Sequence, residues 1–111
     1  MNTNPIRGQT LRWRYDDGQM AGKVFEHTFA EDGTVTYRQA DKPAPAAAQG
    51  QKPGPHYEVE KINDTVYAVS YLGTSGYALT SVLDFAAGTV VSFSSNDKEL
   101  AVQHGTLQPR A

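Results

Sequence analysis

The residue with the clearest chemical potential is His27, which lies between Phe25 and Phe29 in the alternating segment "VFEHTF". Alternate residues of an extended segment share a side, so all three rings are predicted to face the interior. Burial disfavours the imidazolium ion, which would lower the pKa of His27 and leave a neutral base or hydrogen-bond donor. We predict His27 as the acid or base of an active site, with a hydrogen-bonded wall or surface histidine as the alternative.

A second candidate group lies in the stretch "TLRWRYDDG", where Trp13 and Tyr15 alternate with Arg12 and Arg14. One face of this segment is aromatic and the other is charged, which is typical of a strand between an interior and solvent. We predict that Tyr15 orients a substrate beside the acid or base. Trp13 is predicted to line a cavity, and its alternative role is that of a packing anchor near one end of the fold.

The remaining histidines do not suggest a metal centre. His104 is expected to share an inward face with Leu100 and Val102 near a strand end, whereas His56 is expected to meet solvent. Three histidines so widely separated lack metal-ligand spacing, and the sequence contains no cysteine for a thiolate zinc site or a nucleophile. We therefore predict neither a metal nor a cofactor.

The elements that would position these side chains are strands. Short turn signals such as "DDG", "EDG" and "AAG" recur, and they separate alternating segments rich in Val, Thr, Tyr and Phe. No segment shows a helical period. The predicted strands are near 9–16, 19–30, 34–40, 56–62, 65–72, 77–85, 89–95 and 98–107.

Short connections favour antiparallel neighbours, and eight meandering strands avoid exposed edges by closing. We predict an all-β fold, an eight-stranded antiparallel up-and-down barrel formed by one domain over residues 1–111, with a two-sheet sandwich as the alternative. The connection at 41–55, "DKPAPAAAQGQKPGP", is rich in Pro and Ala. It is predicted to be either a solvated linker or a flap over the barrel mouth.

Composition excludes several partners. Ten Lys and Arg residues nearly balance twelve Asp and Glu residues, and no basic block marks a nucleic-acid or anionic membrane surface. The N-terminal stretch "MNTNPIRGQT" has no apolar signal region, and no apolar run approaches the roughly 20 residues of a spanning helix. We expect a soluble cytoplasmic protein that does not bind nucleic acid or membranes.

Four segments, taken together in order, resemble a known group of proteins. They are "GQTLRWRYDDG", "FAEDGTVTYR", "HYEVEKINDTVYAVSY" and "VLDFAAGTV". Their order and spacing over about residues 8 to 107 resemble the calycin-like barrels that comprise the MoaF-like proteins and, more distantly, the phenolic acid decarboxylases. The resemblance implies a lipocalin- or calycin-like barrel.

The resemblance to the decarboxylases also implies a mechanism, in which two first-strand tyrosines and an arginine handle a carboxylate and a glutamate protonates the substrate. Trp13 and Tyr15 occupy the positions of the two tyrosines. Residues 39–60 lack the arginine, and Leu72, Gly73 and Thr74 stand where the glutamate belongs. Without the cation and the general acid, phenolic acid decarboxylation is disfavoured. The MoaF-like group is the closer match.

Strand alternation then predicts a pocket wall of aromatic rings with a few hydroxyl and imidazole groups. On the sixth strand we favour an inward face with Ser81, although the face with Thr80 and Val82 is nearly as plausible. Apolar walls with a few polar groups are typical of ligand sites. The predicted ligand-binding residues are Trp13, Tyr15, Phe25, Phe29, Tyr37, Tyr71, Ser81 and His104.

These features predict a barrel that binds a small, planar, apolar or aromatic molecule. One alternative is a lyase, isomerase or cyclase that uses His27 with a tyrosine, and another is a packed barrel that serves as an interaction module. The outward Arg12 and Arg14 are expected to pair with acidic neighbours such as Glu26 on the next strand. That flat outer face could also be buried in a homodimer.

Overall fold

The computed structural model describes residues 5–40, 55–73 and 76–108. Within these ranges the fold is all-β, and no helix is long and apolar enough to cross a membrane. The predicted loop at 41–55 lies outside the described residues except for Pro55. The eight strands are β1 (Gln9–Tyr15), β2 (Val24–Phe29), β3 (Val35–Gln39), β4 (Tyr57–Lys61), β5 (Val66–Leu72), β6 (Ala78–Asp84), β7 (Thr89–Ser95) and β8 (Leu100–Leu107).

All strands belong to one antiparallel sheet, with the order β3-β2-β1-β8-β7-β6-β5-β4. The first and last strands pair with each other, and Tyr15 lies opposite Gly105. The two edge strands meet where they begin, through an isolated bridge between Thr34 and His56. The result is a nearly closed barrel, so the predicted meander is confirmed and the two-sheet sandwich is wrong.

The predicted second strand begins too early. β2 starts at Val24 rather than at residue 19, because the preceding segment folds into a turn. Gly18 and Gly22 both adopt left-handed backbone conformations, with φ of 76° and 85°, which interrupt an extended chain. The Gly22 amide donates to the Tyr15 carbonyl at 2.7 Å and closes this turn.

One half of the barrel interior is a packed apolar core. It lies at the end where β2 joins β3 and β6 joins β7, and it includes the fully buried side chains of Ile6, Phe29, Val35 and Leu83. Phe29 and Leu83 follow the period-two alternation that predicted the strands. Burial of this aliphatic and aromatic surface closes this end of the barrel and fixes its register.

Strand β8 approaches its neighbours closely at Gly105. A Cβ atom at this position would lie 2.5 Å from the Arg14 carbonyl oxygen and 2.9 Å from Cγ1 of Val90. Only a residue without a side chain therefore fits between β1 and β7 at this level. Gly105 permits the tight pairing that joins the first and last strands.

The outer face of β1–β3 carries an ion-pair cluster. Glu26 accepts a hydrogen bond from Nη2 of Arg12 at 2.7 Å and another from Nε of Arg38 at 3.0 Å. The predicted pairing of Arg12 with Glu26 is confirmed, whereas Arg14 pairs with Asp16 on its own strand end at 3.0 Å. The charged residues of "TLRWRYDDG" thus point outward.

Candidate functional site

A pocket of about 670 Å³ occupies the other half of the barrel interior. It lies at the end where β1 connects to β2, β5 to β6 and β7 to β8. Five of the residues predicted from the sequence line it: Tyr15, Phe25, His27, Tyr37 and Tyr71. They come from β1, β2, β3 and β5, so the barrel brings together side chains that are distant along the chain.

His27 is the most buried polar residue of the pocket wall, with 2% of its surface exposed. Its ring stacks on Trp13, with centroids 4.3 Å apart, and also lies parallel to Phe29 at 5.7 Å. Its Nε2 atom is hydrogen-bonded to the Tyr71 hydroxyl at 2.9 Å. Within the described part of the chain, its Nδ1 atom has no hydrogen-bond partner. The imidazole is therefore fixed by stacking and by one hydrogen bond.

Burial keeps this pair of residues uncharged. Desolvation lowers the pKa of His27 from 6.5 to about 3, and desolvation also raises the pKa of Tyr71 above its ordinary value of 10.0. At neutral pH the histidine is a neutral imidazole and the tyrosine is a neutral phenol. The two groups can exchange a hydrogen bond with each other or with a ligand, but neither supplies a charge to the pocket.

Tyr15 is held by a second polar chain. Its hydroxyl donates to Oγ of Ser92 at 2.9 Å, and Ser92 shares a hydrogen bond of 2.8 Å with Ser81. Its ring meets Phe25 edge-on, with centroids 5.8 Å apart. Because Ser92 and Ser81 are buried, their hydroxyls satisfy each other inside the wall and fix the position of the Tyr15 phenol.

Three other predicted ligand residues lie behind the pocket surface. Trp13 and Phe29 are fully buried and pack against His27, and Ser81 is buried beneath the wall. None of the three is among the residues that line the pocket. Trp13 packs behind His27, and its predicted contact with a ligand stays a prediction.

The predicted inward orientation of His104 is wrong. His104 is exposed, and its Nδ1 atom lies 2.9 Å from Oδ2 of Asp17. Val102, on the same side of β8, is also exposed, by 45%, and Leu100 is 76% exposed although it borders the pocket at the start of the strand. The cause is the register with β7, which places Gly105 opposite the buried Val90 and so turns the other face of β8 inward.

Residues at the mouth of the pocket were missed by the sequence analysis. Tyr77 donates a hydrogen bond of 2.5 Å to Oε1 of Glu99, and this contact raises the pKa of the tyrosine. The turn before β8 positions Lys98 and Glu99, because their amides donate to the Asn96 side chain at 2.8 and 2.6 Å. The "ND" signal predicted a turn there, but no local pattern showed that it borders the pocket. The missed residues include Tyr77, Ser94, Lys98, Glu99 and Gln103, whereas Leu79 lies on the inward face favoured for the sixth strand.

Among residues 5–40, 55–73 and 76–108, no group of three or more His, Cys, Asp or Glu side chains is arranged to hold a metal ion. The polar groups of the pocket are instead phenols, an imidazole, a serine hydroxyl, two amides and, at the mouth, one lysine and one glutamate. Such groups can orient a ligand through hydrogen bonds, while the aromatic rings supply contact area.

Known proteins resemble the chain in sequence pattern and in fold. No curated protein matches it significantly. A solved structure described as "Crystal Structure of a putative beta-lactamase from Burkholderia vietnamiensis" has 23% sequence identity and a TM-score of 0.70, and the match covers 97% of this chain and 98% of that chain. This likeness shows a shared fold. The sequence model of the family described as MoaF-like matches residues 8–108, and the chain therefore belongs to the MoaF-like family, as its motifs predicted.

Proposed function

We propose that the protein binds a small, planar, largely apolar molecule in the pocket at the open end of the barrel. The observation that carries this proposal is the arrangement of the rings of His27, Tyr37 and Tyr71, which lie within 6 Å of one another around the pocket. Aromatic walls of this kind provide large contact area at little cost in side-chain entropy. The volume of about 670 Å³ falls within the range of pockets for small molecules.

The alternative of a packed interaction module receives less support. A packed barrel would fill both ends with interdigitating side chains. Here the filled half ends at the layer of Trp13 and Phe29, and the half beyond it is a pocket bordered by polar groups.

Acid–base catalysis by His27 is also the weaker alternative. A general base works best when its pKa lies near the working pH, and burial places that of His27 at about 3. Tyr71, the hydrogen-bond partner of this histidine, has its pKa raised by burial and is correspondingly a poor proton donor in a reaction. The pair is better suited to holding a ligand than to moving its protons.

Fluorescence of Trp13 offers a direct test, because this residue is the single tryptophan of the chain and stacks on His27 in the pocket wall. We would titrate the protein with planar acids, phenols and fused-ring aromatic ketones, and assay each mixture for consumption of the ligand. Saturable change in emission without consumption is the expected result. A silent signal across the panel would contradict the proposal, and consumption of a ligand would favour the enzyme.

Two neighbouring substitutions provide a matched control for this titration. Ala101 borders the pocket, whereas Val102 is exposed on the opposite face of the same strand. Ala101→Phe should obstruct the mouth and weaken binding, and Val102→Phe should leave affinity unchanged. Equal affinities of the two variants would place the ligand elsewhere.

A further inference from the structure

The hydrogen-bonding groups of the pocket differ between its two sides. Tyr15 lies on β1 and Tyr71 on β5, and four pairing steps in the eight-stranded order separate these strands. Their side chains reach across the interior: the Tyr71 hydroxyl bonds to His27 on β2, and the Tyr15 hydroxyl bonds to Ser92 on β7, so the two hydroxyls lie beside different strands. Each is already engaged with a buried neighbour, and that neighbour determines what the hydroxyl can still offer to a ligand.

The Tyr71 hydroxyl depends on the tautomer of His27. If the ring proton were on Nδ1, a buried N–H would have no partner among the described residues. The indole N–H of Trp13, whose ring stacks on His27, already has no hydrogen-bond partner among the described residues. Unpartnered buried N–H groups are rarer than unpartnered acceptors. A proton on Nε2 avoids a second such group, because it is donated to the Tyr71 oxygen. The Tyr71 hydroxyl then remains free to donate into the pocket.

The side of the pocket near β7 and β8 offers acceptors. The Tyr15 proton is donated to Ser92, so the lone pairs of the Tyr15 oxygen remain for a ligand. Gln103 also lines the pocket, is buried with 9% exposure, and its Oε1 atom has no partner within the described residues. A buried acceptor without a partner is costly, and a ligand that donates to it would remove that cost.

Charge is confined to the mouth. The charged side chains in the described lining are Lys98 and Glu99, both in the turn that precedes β8. The other polar groups of the described lining are neutral: phenols, an imidazole, a serine hydroxyl and two amides. A carboxylate placed there would lose its hydration without meeting a cation, which is strongly unfavourable.

We propose that the ligand is an uncharged aromatic carbonyl compound that also carries a hydroxyl or N–H group. Its carbonyl oxygen accepts from Tyr71, and its donor group reaches Tyr15 or Gln103. This inference rests on the proposed binding function and adds the polarity and charge of the ligand to it.

Four related probes test the inference on the unmodified protein: a hydroxynaphthyl methyl ketone, the naphthyl methyl ketone without the hydroxyl, naphthol, and the hydroxynaphthoic acid. We expect the hydroxy ketone to bind most tightly, with a loss of about 3- to 10-fold when either polar group is removed. The carboxylate should bind about 100-fold more weakly. If none of the probes binds, the proposed function fails. If they bind equally, or the carboxylate binds best, the function stands and this inference is overturned.

Variants of two pocket tyrosines locate the donor. Tyr71→Phe should abolish the advantage of the hydroxy ketone over naphthol, and Tyr37→Phe, which removes a hydroxyl from the same pocket, should preserve it. Persistence of that advantage in Tyr71→Phe would overturn the assignment. Should Tyr71→Phe fail to fold, nitrogen NMR of the labelled native protein decides the point: a His27 proton on Nε2 supports the inference, and a proton on Nδ1 overturns it.

Discussion

The imidazole ring of His27 stacks on the indole ring of Trp13, with centroids 4.3 Å apart and an angle of 13° between the planes. Trp13 is fully buried in the core, whereas His27 borders the pocket. The stack therefore joins the packed half of the barrel to the open half. Because the His27 ring is buried in this stack, its protonation is coupled to unfolding.

Stability should depend on pH through His27. Burial lowers its pKa from 6.5 to about 3, so between these values the unfolded chain binds one more proton than the folded chain. The contribution of His27 to the free energy of unfolding should thus be complete above pH 6.5. As the pH decreases below this value, the free energy of unfolding should fall by at most about 1.4 kcal/mol per pH unit. Urea unfolding between about pH 6.5 and 5, where most carboxylates stay ionised, measures this slope.

Two histidine variants separate this effect from other titrations. His27→Gln should flatten the slope, whereas His56→Gln, at an exposed position, should retain it. NMR signals of the His27 ring should also remain unchanged over the same pH range. A ring that titrates near its ordinary pKa would contradict the burial seen here.

Gly105→Ala should destabilise the barrel by about 2 kcal/mol or more, because its Cβ atom would lie 2.5 Å from a backbone oxygen of β1. Backbone atoms cannot rotate away as a flexible side chain can. We would measure the free energy of unfolding and the amide exchange of β8. Gly22→Ala is the control, since it meets no atom within 4 Å and introduces only backbone strain. Equal effects of the two variants on amide exchange in β8 would argue against the close approach of the strands at Gly105.

The buried hydroxyls of Ser81 and Ser92 should show non-additive contributions. Ser92→Ala removes the acceptor of Tyr15 and the partner of Ser81, and we expect a loss of about 1–2 kcal/mol. Once Ser92 is replaced, Ser81→Ala should add little, because its hydrogen bond is already gone. A double-mutant cycle in urea measures the coupling. Fully additive losses would show that the three hydroxyls do not act as a chain.

Glu26→Gln should lower the free energy of unfolding by about 0.5–1 kcal/mol, since one carboxylate pairs with both Arg12 and Arg38. The loss should shrink as salt is added, because these guanidinium groups are partly exposed and screened. The comparison variant is Asp64→Asn, because the Asp64 side chain is almost fully exposed and its pairing with Lys61 should contribute nothing measurable. A loss independent of salt would point to packing instead of charge.

Local sequence predicted the strands well where a buried aromatic face alternates with a charged one. In β1 and β2 the alternation around Trp13 and His27 fixes which side chains point inward, because a shift by one residue would bury arginine or glutamate. It failed in β8, where Leu100 and Val102 are apolar yet exposed. The inward face there is set by the close approach at Gly105, which is a property of three strands together.

The residues at the pocket mouth could not be predicted from local sequence for a similar reason. Tyr77 and Glu99 are separated by a whole hairpin, and their contact arises only when β6, β7 and β8 assemble. The turn at Asn96 was visible in the sequence, but its position relative to the barrel axis was not. Side chains that border a site from loops follow no period that a single segment can reveal.

The separation of the barrel interior into a filled end and an open end has an evolutionary consequence. Residues such as Phe29 and Leu83 hold the fold together, whereas Tyr37 and Ala101 border the pocket while remaining exposed. Under the proposed function, substitutions at the second set should change ligand preference at little cost in stability, because these side chains contribute little to the buried core.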